Sequence, residues 1–132
     1  MILDLVYPYR LEMGTKIKTR YGKNLYEFWG DKLCQSLSSE MGDKEALVNL
    51  ASNEYSKAVR LGVIMKPLVT PVFKDFKNGK LKVVSFFAKK ARGEMANFII
   101  SNRITNIEDI KLFSNNGYKF SEEKNGEILF IR

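Results

Sequence analysis

The sequence predicts an α+β fold, in which an antiparallel or mixed sheet with Asn-Gly hairpins packs against two main helices. Residues 24–41 and 91–103 repeat apolar side chains at three- and four-residue spacing, which is typical of helices that bury one face. The Asn78-Gly79 pair lies between two strand-like runs and is a strong signal for a two-residue hairpin. Strand-like and helix-like segments are mixed along 132 residues, a length that suits one core. We therefore expect a single domain over residues 1–132.

The first helix, residues 24–41, has a clear start and end. Asn24 and Glu27 stand at the spacing of a capping box, and Gly42 suits the C-terminal cap. Trp29 and Cys34 fall on or near the apolar face, so we expect both in the core rather than in a binding site. The apolar face consists of Leu25, Phe28, Trp29, Leu33, Leu37 and Met41.

A polar turn follows a short predicted strand at residues 46–50. Ser52 is placed to cap a short helix that carries Tyr55. Polar strand-to-helix turns often bind ligands, but as often they only cap the helix, so both interpretations stay open. The candidate ligand turn contains Asn49, Ser52, Glu54 and Tyr55.

The hairpin at Asn78-Gly79 is expected to have one apolar face and one basic, solvated face near its tip. Phe76 and Leu81 are expected on the apolar face, and Asp75, Lys77, Lys80 and Lys82 on the solvated face. Two lysines directly opposite each other repel by a few tenths of a kcal/mol, although lysines at a hairpin tip also discourage edge-to-edge aggregation. Further from the turn, Val83-Val84 and Phe86-Phe87 place apolar groups on both faces, which predicts a central strand. The aromatic rings of this segment are expected mostly in the core, namely Phe73, Phe76, Phe86 and Phe87. The predicted pairs are Lys77 with Lys80, Phe76 with Leu81, Asp75 with Lys82, Lys74 with Val83 and Phe73 with Val84.

The second helix, residues 91–103, is predicted to begin beside three cations, Lys89, Lys90 and Arg92. Positive charge at a helix N-terminus opposes the macrodipole and costs up to about 1 kcal/mol per residue. A bound anion would reverse this effect, because free backbone N–H groups, the dipole and three cationic side chains would all face it. We therefore expect an anion at this helix start.

The positive charge of the chain is concentrated in residues 57–92. The whole chain has 22 Lys and Arg residues against 15 Asp and Glu residues, and this segment alone holds ten cations and one acid, Asp75. Such concentration favours a polyanionic partner, and phosphate contacts give salt-dependent binding with little sequence choice. The predicted nucleic-acid or anion contacts are Lys77, Lys80, Lys82, Lys89, Lys90 and Arg92, with Arg10 from a smaller basic stretch over residues 1–23.

Several function classes lack the residues that they need. The chain has no histidine and one cysteine, which excludes Ser-His and Cys-His triads, the usual zinc ligand sets and an internal disulfide. No Gly-rich phosphate loop is present, and the acids Asp31, Glu54, Asp75 and Glu94 are too scattered to indicate paired carboxylates. No apolar run reaches the roughly 18 residues of a membrane span, and the start does not resemble a signal peptide. We therefore expect a cytoplasmic location without membrane contact, and assign no catalytic residue, metal or cofactor.

Six blocks of the sequence are distinctive. They are YRLEMGT at 9–15, LYEFWGD at 25–31, NLASNEY at 49–55, PVFKD at 71–75 with KNGK at 77–80, SFFAKKARG at 85–93 and NGEILF at 125–130. Together these blocks closely resemble the bacterial YaaA family of peroxide-stress proteins. The resemblance covers only the C-terminal half of family members, whose N-terminal half opens with a Ser-Pro-Ala-Lys block that is absent here.

The resemblance implies a cytoplasmic protein induced under hydrogen peroxide stress. Members of the family are associated with lowering free intracellular iron, which limits Fenton damage. They are also associated with DNA binding through a positively charged cleft and a helix-hairpin-helix-like element, and the family pattern places part of that cleft in the basic segment. A surface that normally packs on the N-terminal half would be exposed, so self-association through it is expected.

Three hypotheses follow for the function. The first is a non-catalytic stress protein that binds duplex DNA without sequence specificity. The second is an enzyme that acts on a nucleotide or a small phosphorylated substrate held at the predicted helix start near Lys89 and Arg92. The third is an iron-binding protein, which without histidine would depend on a carboxylate site.

Overall fold

A computed structural model describes residues 11–132 of the chain. The chain divides into two compact units. The helical unit comprises the described residues 11–45 and 51–66, and the sheet unit comprises residues 46–50 and 67–132. Helices and a five-stranded mixed sheet are both present, which confirms the predicted α+β class.

The elements follow one another in an order that mixes helices and strands. In the helical unit they are α1 (Leu25–Trp29), α2 (Lys32–Glu40), α3 (Asn53–Val59) and a 3₁₀ turn at Leu61–Val63. In the sheet unit they are β1 (Leu47–Val48), β2 (Leu68–Lys77), β3 (Lys80–Lys82), α4 (Ser85–Ser101), 3₁₀ turns at Ile107–Leu112 and Asn115–Gly117, β4 (Lys119–Lys124) and β5 (Glu127–Ile131).

The helix predicted over residues 24–41 is broken into α1 and α2, so the prediction of one continuous helix was wrong. The start was right, because the Asn24 side chain accepts a hydrogen bond from the backbone N–H of Glu27. The break lies at Gly30, which has a φ of 50° and ends α1. Glycine adopts this left-handed region without the steric cost that a Cβ imposes. The apolar spacing continues across Gly30, so the spacing alone did not reveal the end of the helix. The predicted glycine cap does not form at the end of α2, because Gly42 follows the C-cap Met41 without the positive φ that a capping glycine adopts.

The helical unit is held by a small apolar cluster of Met13, Leu25 and Ala58, against which Trp29 and Leu33 pack. Cys34 is buried, as expected of a structural thiol.

The sheet unit is organised around β2, the longest strand. Strand β1 pairs with β2 in parallel, β5 also pairs with β2 in parallel, and β4 pairs with β5 antiparallel, which gives the order β1-β2-β5-β4. Strand β3 folds back on the end of β2 through the Asn78-Gly79 turn. All residues of β4 are exposed, and its charged side chains suit an unpaired sheet edge.

The core of the sheet unit lies between the sheet and α4. Helix α4 contributes Ala88, Ala91 and Met95, whose small or flexible side chains let the helix approach the sheet closely. Four rings fill the remaining space, with Phe73 and Phe130 stacked at 5.3 Å between centroids and Phe113 and Tyr118 edge-on to Phe73. Aromatic side chains bury large apolar areas, so burial of these four rings contributes strongly to the stability of this unit.

Strand β3 is shorter than predicted. It ends at Lys82, so the predicted pairs of Lys74 with Val83 and Phe73 with Val84 do not form. Helix α4 begins at Ser85 rather than at residue 91, which places Phe86 and Phe87 in a helix. Good helix formers dominate the segment from Ala88 to Met95 and are spaced to bury one helical face, so the helix extends back through the two aromatic residues.

The C-terminal region consists of two 3₁₀ turns and a hairpin. The side chain of Asn106 accepts from the backbone N–H of Glu108 and starts the first of these turns. Strands β4 and β5 form the last hairpin around Asn125-Gly126. Within residues 11–132, no helix is both long enough and apolar enough to cross a membrane.

Candidate functional site

The three cations near the start of α4 do not stand where the sequence predicted. Because the helix begins at Ser85, Lys89, Lys90 and Arg92 lie beyond its first turn, and the dipole argument for an anion at this helix start does not hold. Successive residues are about 100° apart around a helix, so Lys90 and Arg92 are separated by about 160°. Lys90 lies on the same flank as Glu94, 3.7 Å from its carboxylate, whereas Lys89 and Arg92 lie on the opposite flank. The helix therefore does not bring all three cations to one point.

The tip of the β2–β3 hairpin carries three exposed lysines, Lys77, Lys80 and Lys82. Lys77 and Lys80 are direct cross-strand partners, as predicted. The turn between them has positive φ at both Asn78 and Gly79, the geometry that favours Asn-Gly. Among the described residues, no carboxylate pairs with these three lysines.

The two faces of the hairpin are reversed relative to the prediction. Asp75 lies on the buried face of β2 together with Val69 and Phe73, whereas Phe76 is 68% exposed and its partner Leu81 is 43% exposed. The expectation that Phe76 belongs to the core was therefore wrong, and so was that for Phe86, which is 73% exposed. The alternation of β2 was predicted correctly, but the sequence did not show which of its faces the core covers near the tip.

Two other sets of predicted site residues remain, Arg10 and the candidate ligand turn. Arg10 lies outside the described residues. In the candidate ligand turn, the side chain of Asn49 donates to the hydroxyl of Thr70, and the Glu54 carboxylate accepts from the backbone N–H of Met13 over 2.7 Å. Ser52 precedes α3 without a side-chain capping bond, and Tyr55 is exposed. Asn49 and Glu54 therefore make structural contacts, and ligand binding by this turn stays a prediction.

A polar network that the sequence did not predict surrounds Asp75. The Tyr118 hydroxyl donates to Asp75 Oδ2 over 2.9 Å, and Arg132 donates from Nε to Asp75 Oδ1 over 2.8 Å. Arg132 Nη2 lies 2.6 Å from the same Oδ1. The guanidinium lies over two rings, 4.7 Å from the centre of Phe87 and 4.6 Å from that of Tyr118. The one acid of the basic segment is thus bound to Arg132 and does not neutralise the hairpin lysines.

This network changes the titration of Tyr118. Burial, together with the hydrogen bond to the Asp75 carboxylate, raises the pKa of Tyr118 to about 12. The hydroxyl is therefore protonated at neutral pH and acts as a hydrogen-bond donor. The sequence contained one signal for this network, because Asp75 lies two residues from Phe73 and so falls on the same face of the strand. Its partners Tyr118 and Arg132 come from distant parts of the chain and could not be identified in this way.

A cavity of about 110 Å³ adjoins the network. One carboxylate in it is incompletely paired, because Glu94 Oε1 accepts from the Asn116 side chain, whereas Oε2 is buried and has no hydrogen-bond donor among the described protein groups. The lining residues that matter for its chemistry are Phe86, Phe87, Lys90, Glu94, Asn116 and Arg132.

Comparison with known proteins places the chain in a family. A family profile described as peroxide stress protein YaaA matches residues 1–124. This chain belongs to the YaaA family. The match covers the hairpin, all of α4 and the Asp75 and Glu94 positions, so the YaaA profile includes most of the residues described above.

The similarity to curated relatives extends over almost the whole chain. A UPF0246 protein from Shewanella sp. (strain MR-4) is 53% identical over 98% of this chain, and one from Idiomarina loihiensis is 52% identical over the same share. A UPF0246 protein from Aliivibrio fischeri (strain MJ11) is 56% identical over 91% of this chain. The matches cover 52%, 52% and 47% of those relatives, so the chain spans about half the length of the relatives it matches.

Metal binding has no structural support in the part of this YaaA-family chain that is described. No group of three or more Cys, Asp or Glu residues there could hold a metal ion. The association of the family with free iron stays a prediction from the resemblance.

Proposed function

We propose that this chain is a DNA-binding part of a YaaA-family peroxide stress protein and that it contacts duplex phosphates through exposed cations of its sheet unit. The observation that carries the proposal is the β2–β3 hairpin tip, where Lys77, Lys80 and Lys82 are exposed together without a carboxylate partner among the described residues. Folding does not select such an arrangement, because opposed lysines repel each other. Phosphate groups remove this repulsion and release counterions when they bind.

A second set of cations supports the same proposal. Lys89 is exposed and Arg92 partly exposed on one flank of α4, about 60° apart around the helix axis. Neither forms an ion pair with another described residue. Arginine and lysine at adjacent positions suit a row of phosphates, because these contacts require charge and reach rather than a base-specific geometry.

The alternative hypothesis, an enzyme that acts on a phosphorylated substrate, is no longer supported by the position of its proposed phosphate site. That hypothesis placed the phosphate at a helix start beside Lys89 and Arg92, but α4 begins four residues before Lys89. The free N–H groups of the helix terminus are therefore not beside these cations. We retain non-specific DNA binding as the proposed activity, and a role in limiting free iron as a proposal from family membership alone.

The test is the salt dependence of duplex DNA binding by this chain. The logarithm of the binding constant should fall linearly with the logarithm of salt concentration. The variants K77A/K80A/K82A and K89A/R92A should each reduce the slope by about one unit for every phosphate that the variant no longer binds. Lys44→Ala, an exposed lysine of the helical unit outside the basic segment, serves as a control and should leave the slope unchanged.

Single strands and mononucleotides should be measured beside the duplex. Tighter binding of a mononucleotide than of any DNA would overturn the proposal in favour of a small-molecule site. Absence of duplex binding, or the same slope in both multiple variants as in the unchanged chain, would also overturn it.

A further inference from the structure

The cavity beside α4 has a chemistry that the phosphate contacts do not use. It lies on the flank of the helix that carries Lys90 and Glu94, opposite the flank of Lys89 and Arg92. Its walls come from α4, from the 3₁₀ turn that contains Asn116 and from the residues around Tyr118 and Arg132. All of these residues belong to the sheet unit.

The most specific feature of the cavity is Glu94 Oε2. This oxygen is buried, and no described protein group donates a hydrogen bond to it, although the whole side chain is 23% exposed. A buried carboxylate oxygen without a donor is unfavourable, because it has lost its hydration without gaining a hydrogen bond. Because the oxygen is closed off from solvent, a ligand N–H reaches it only when the Glu94 side chain turns toward the cavity, and the hydrogen bond formed there would offset the lost hydration.

The charge around the cavity excludes a simple phosphate site. Two cations, Lys90 and Arg132, are balanced by the two carboxylates of Glu94 and Asp75, and the Arg132 guanidinium is already bound to Asp75. A phosphate would also approach the unpaired Glu94 oxygen, and two like charges at that distance repel. The cavity therefore suits a neutral ligand that offers an N–H donor.

The rim of the cavity favours a flat ligand. Phe86 is 73% exposed, and its ring lies at 65° to that of Phe87 with 5.9 Å between centroids. An exposed aromatic ring beside a polar cavity provides a stacking surface for a planar heterocycle. A volume of about 110 Å³ is small beside the roughly 300–1,000 Å³ of typical ligand pockets, so the cavity admits one edge of a base and not a whole nucleotide.

We propose that this cavity binds one unpaired nucleobase of bound DNA, with Phe86 stacking on the base and the Glu94 carboxylate, turned from its buried position into the cavity, accepting an N–H from its edge. The proposal rests on the DNA binding proposed above, and it assigns the two flanks of α4 to different parts of the same ligand. Lys89 and Arg92 contact phosphates on one flank, and Glu94 and Phe86 read a base on the other. Lys90, at the cavity mouth, adds a donor for a carbonyl group of the base.

The first experiment compares three short duplexes of the same sequence with this chain. One is fully paired, one carries a single unpaired guanine, and one carries an abasic site at that position. The unpaired guanine should be bound about tenfold more tightly than the other two, as expected for one hydrogen bond to a charged group. Glu94→Gln keeps an oxygen for Asn116 but places an N–H where Oε2 was, so it should remove this preference.

The matched control is Glu122→Gln, which makes the same chemical change at an exposed position of β4. It should retain the full preference for the unpaired guanine. Equal binding of all three duplexes would overturn the base site and leave the proposed DNA binding intact. The same preference in the Glu94→Gln variant and the unchanged chain would also overturn the base site.

A second measurement tests whether the cavity binds a base, and it does not depend on DNA binding. Guanosine, which has no phosphate, should shift the aromatic NMR signals of Phe86, Phe87 and Tyr118, and inorganic phosphate should not. If no duplex binds but guanosine shifts these signals, the base site stands and the DNA-binding function fails. A response to phosphate alone, or to neither compound, would overturn the base site.

Discussion

The two Asn-Gly hairpins of this sheet use the same turn for different purposes. Asn78-Gly79 and Asn125-Gly126 both have positive φ at the two turn positions. The first turn joins exposed strand ends, with Lys77 opposite Lys80. The second joins β4 to the buried strand β5, with Lys124 opposite Glu127. One hairpin thus places like charges together in solvent, and the other pairs opposite charges at the edge of the core.

The difference between the two hairpins shows which of their residues are explained by the requirements of folding and which are not. The β4–β5 hairpin buries Ile128 and Phe130 of β5 and places Lys124 opposite Glu127, an arrangement without repulsion between like charges. The β2–β3 tip keeps its lysines at a small cost in stability and exposes Phe76, although it has the same turn. The two hairpins are connected by Asp75 of β2 and Arg132, which follows β5. We infer that the first hairpin has a binding role and the second a structural one.

The largest expected effect is a difference in unfolding free energy between alanine variants of two phenylalanines, one from each hairpin. Phe130 of β5 is fully buried, so Phe130→Ala should reduce the free energy of unfolding by about 3–5 kcal/mol through reduced burial and a new cavity. Phe76→Ala should change it by less than about 0.5 kcal/mol, because the side chain is mostly exposed. Urea unfolding monitored by circular dichroism measures both. Comparable losses would show that the β2–β3 tip is packed as a structural element.

The next largest effect is the pH dependence of stability that Tyr118 causes, which tests the Asp75 network that connects the two hairpins. The pKa of Tyr118 is raised to about 12 in the folded protein from about 10 in the unfolded chain, so the folded state favours the neutral hydroxyl. Its contribution to stability is fully present below pH 10 and is lost as pH rises through 12. The loss should be on the order of 2–3 kcal/mol.

Unfolding free energies of the unchanged chain and of Tyr118→Phe should therefore be compared from pH 9 to about pH 12. The phenylalanine variant should lose less stability over this range, since it has no hydroxyl to ionise there, while other groups titrate equally in both. Parallel pH profiles would contradict the assigned role of the Asp75 network.

A smaller effect distinguishes the two turn glycines. Alanine at either position is strained by the positive φ, which costs roughly 1–2 kcal/mol. At Gly126 an added Cβ would also lie 3.0 Å from the Leu68 carbonyl oxygen, whereas at Gly79 it would meet nothing within 4 Å. Gly126→Ala should therefore reduce the free energy of unfolding by about 1 kcal/mol more than Gly79→Ala in urea titrations. Equal losses would mean that the second turn yields without strain.

Local signals in the sequence predicted much of this fold. The Asn78-Gly79 turn determined the pairing of Lys77 with Lys80, and Asn24 was correctly identified as a helix cap, because both depend on neighbouring residues. The break at Gly30 was not predicted, since the apolar spacing continues across it. Helix α4 was predicted to start late, because the apolar pairs before Ala88 also suit a buried strand.

The candidate sites were less predictable than the fold. Charge counting identified the exposed hairpin lysines, because a concentration of like charge is visible in the sequence alone. It could not show that Asp75 binds Arg132, or that Glu94 has an unpaired oxygen, because those features depend on residues far apart in the chain. They also depend on the orientation of side chains that the sheet and α4 set together.

The most direct test of the different roles of the two hairpins is a comparison of two charge-matched variants in salt-titrated binding of duplex DNA. K77A/K80A removes two lysines from the β2–β3 tip, and K119A/K124A removes two exposed lysines from the β4–β5 hairpin. The first variant should reduce the steepness of the salt dependence by about two units, and the second should leave it nearly unchanged. Equal slopes in the two variants would contradict the different roles of the hairpins, because binding would then depend on total charge and not on the exposed hairpin tip.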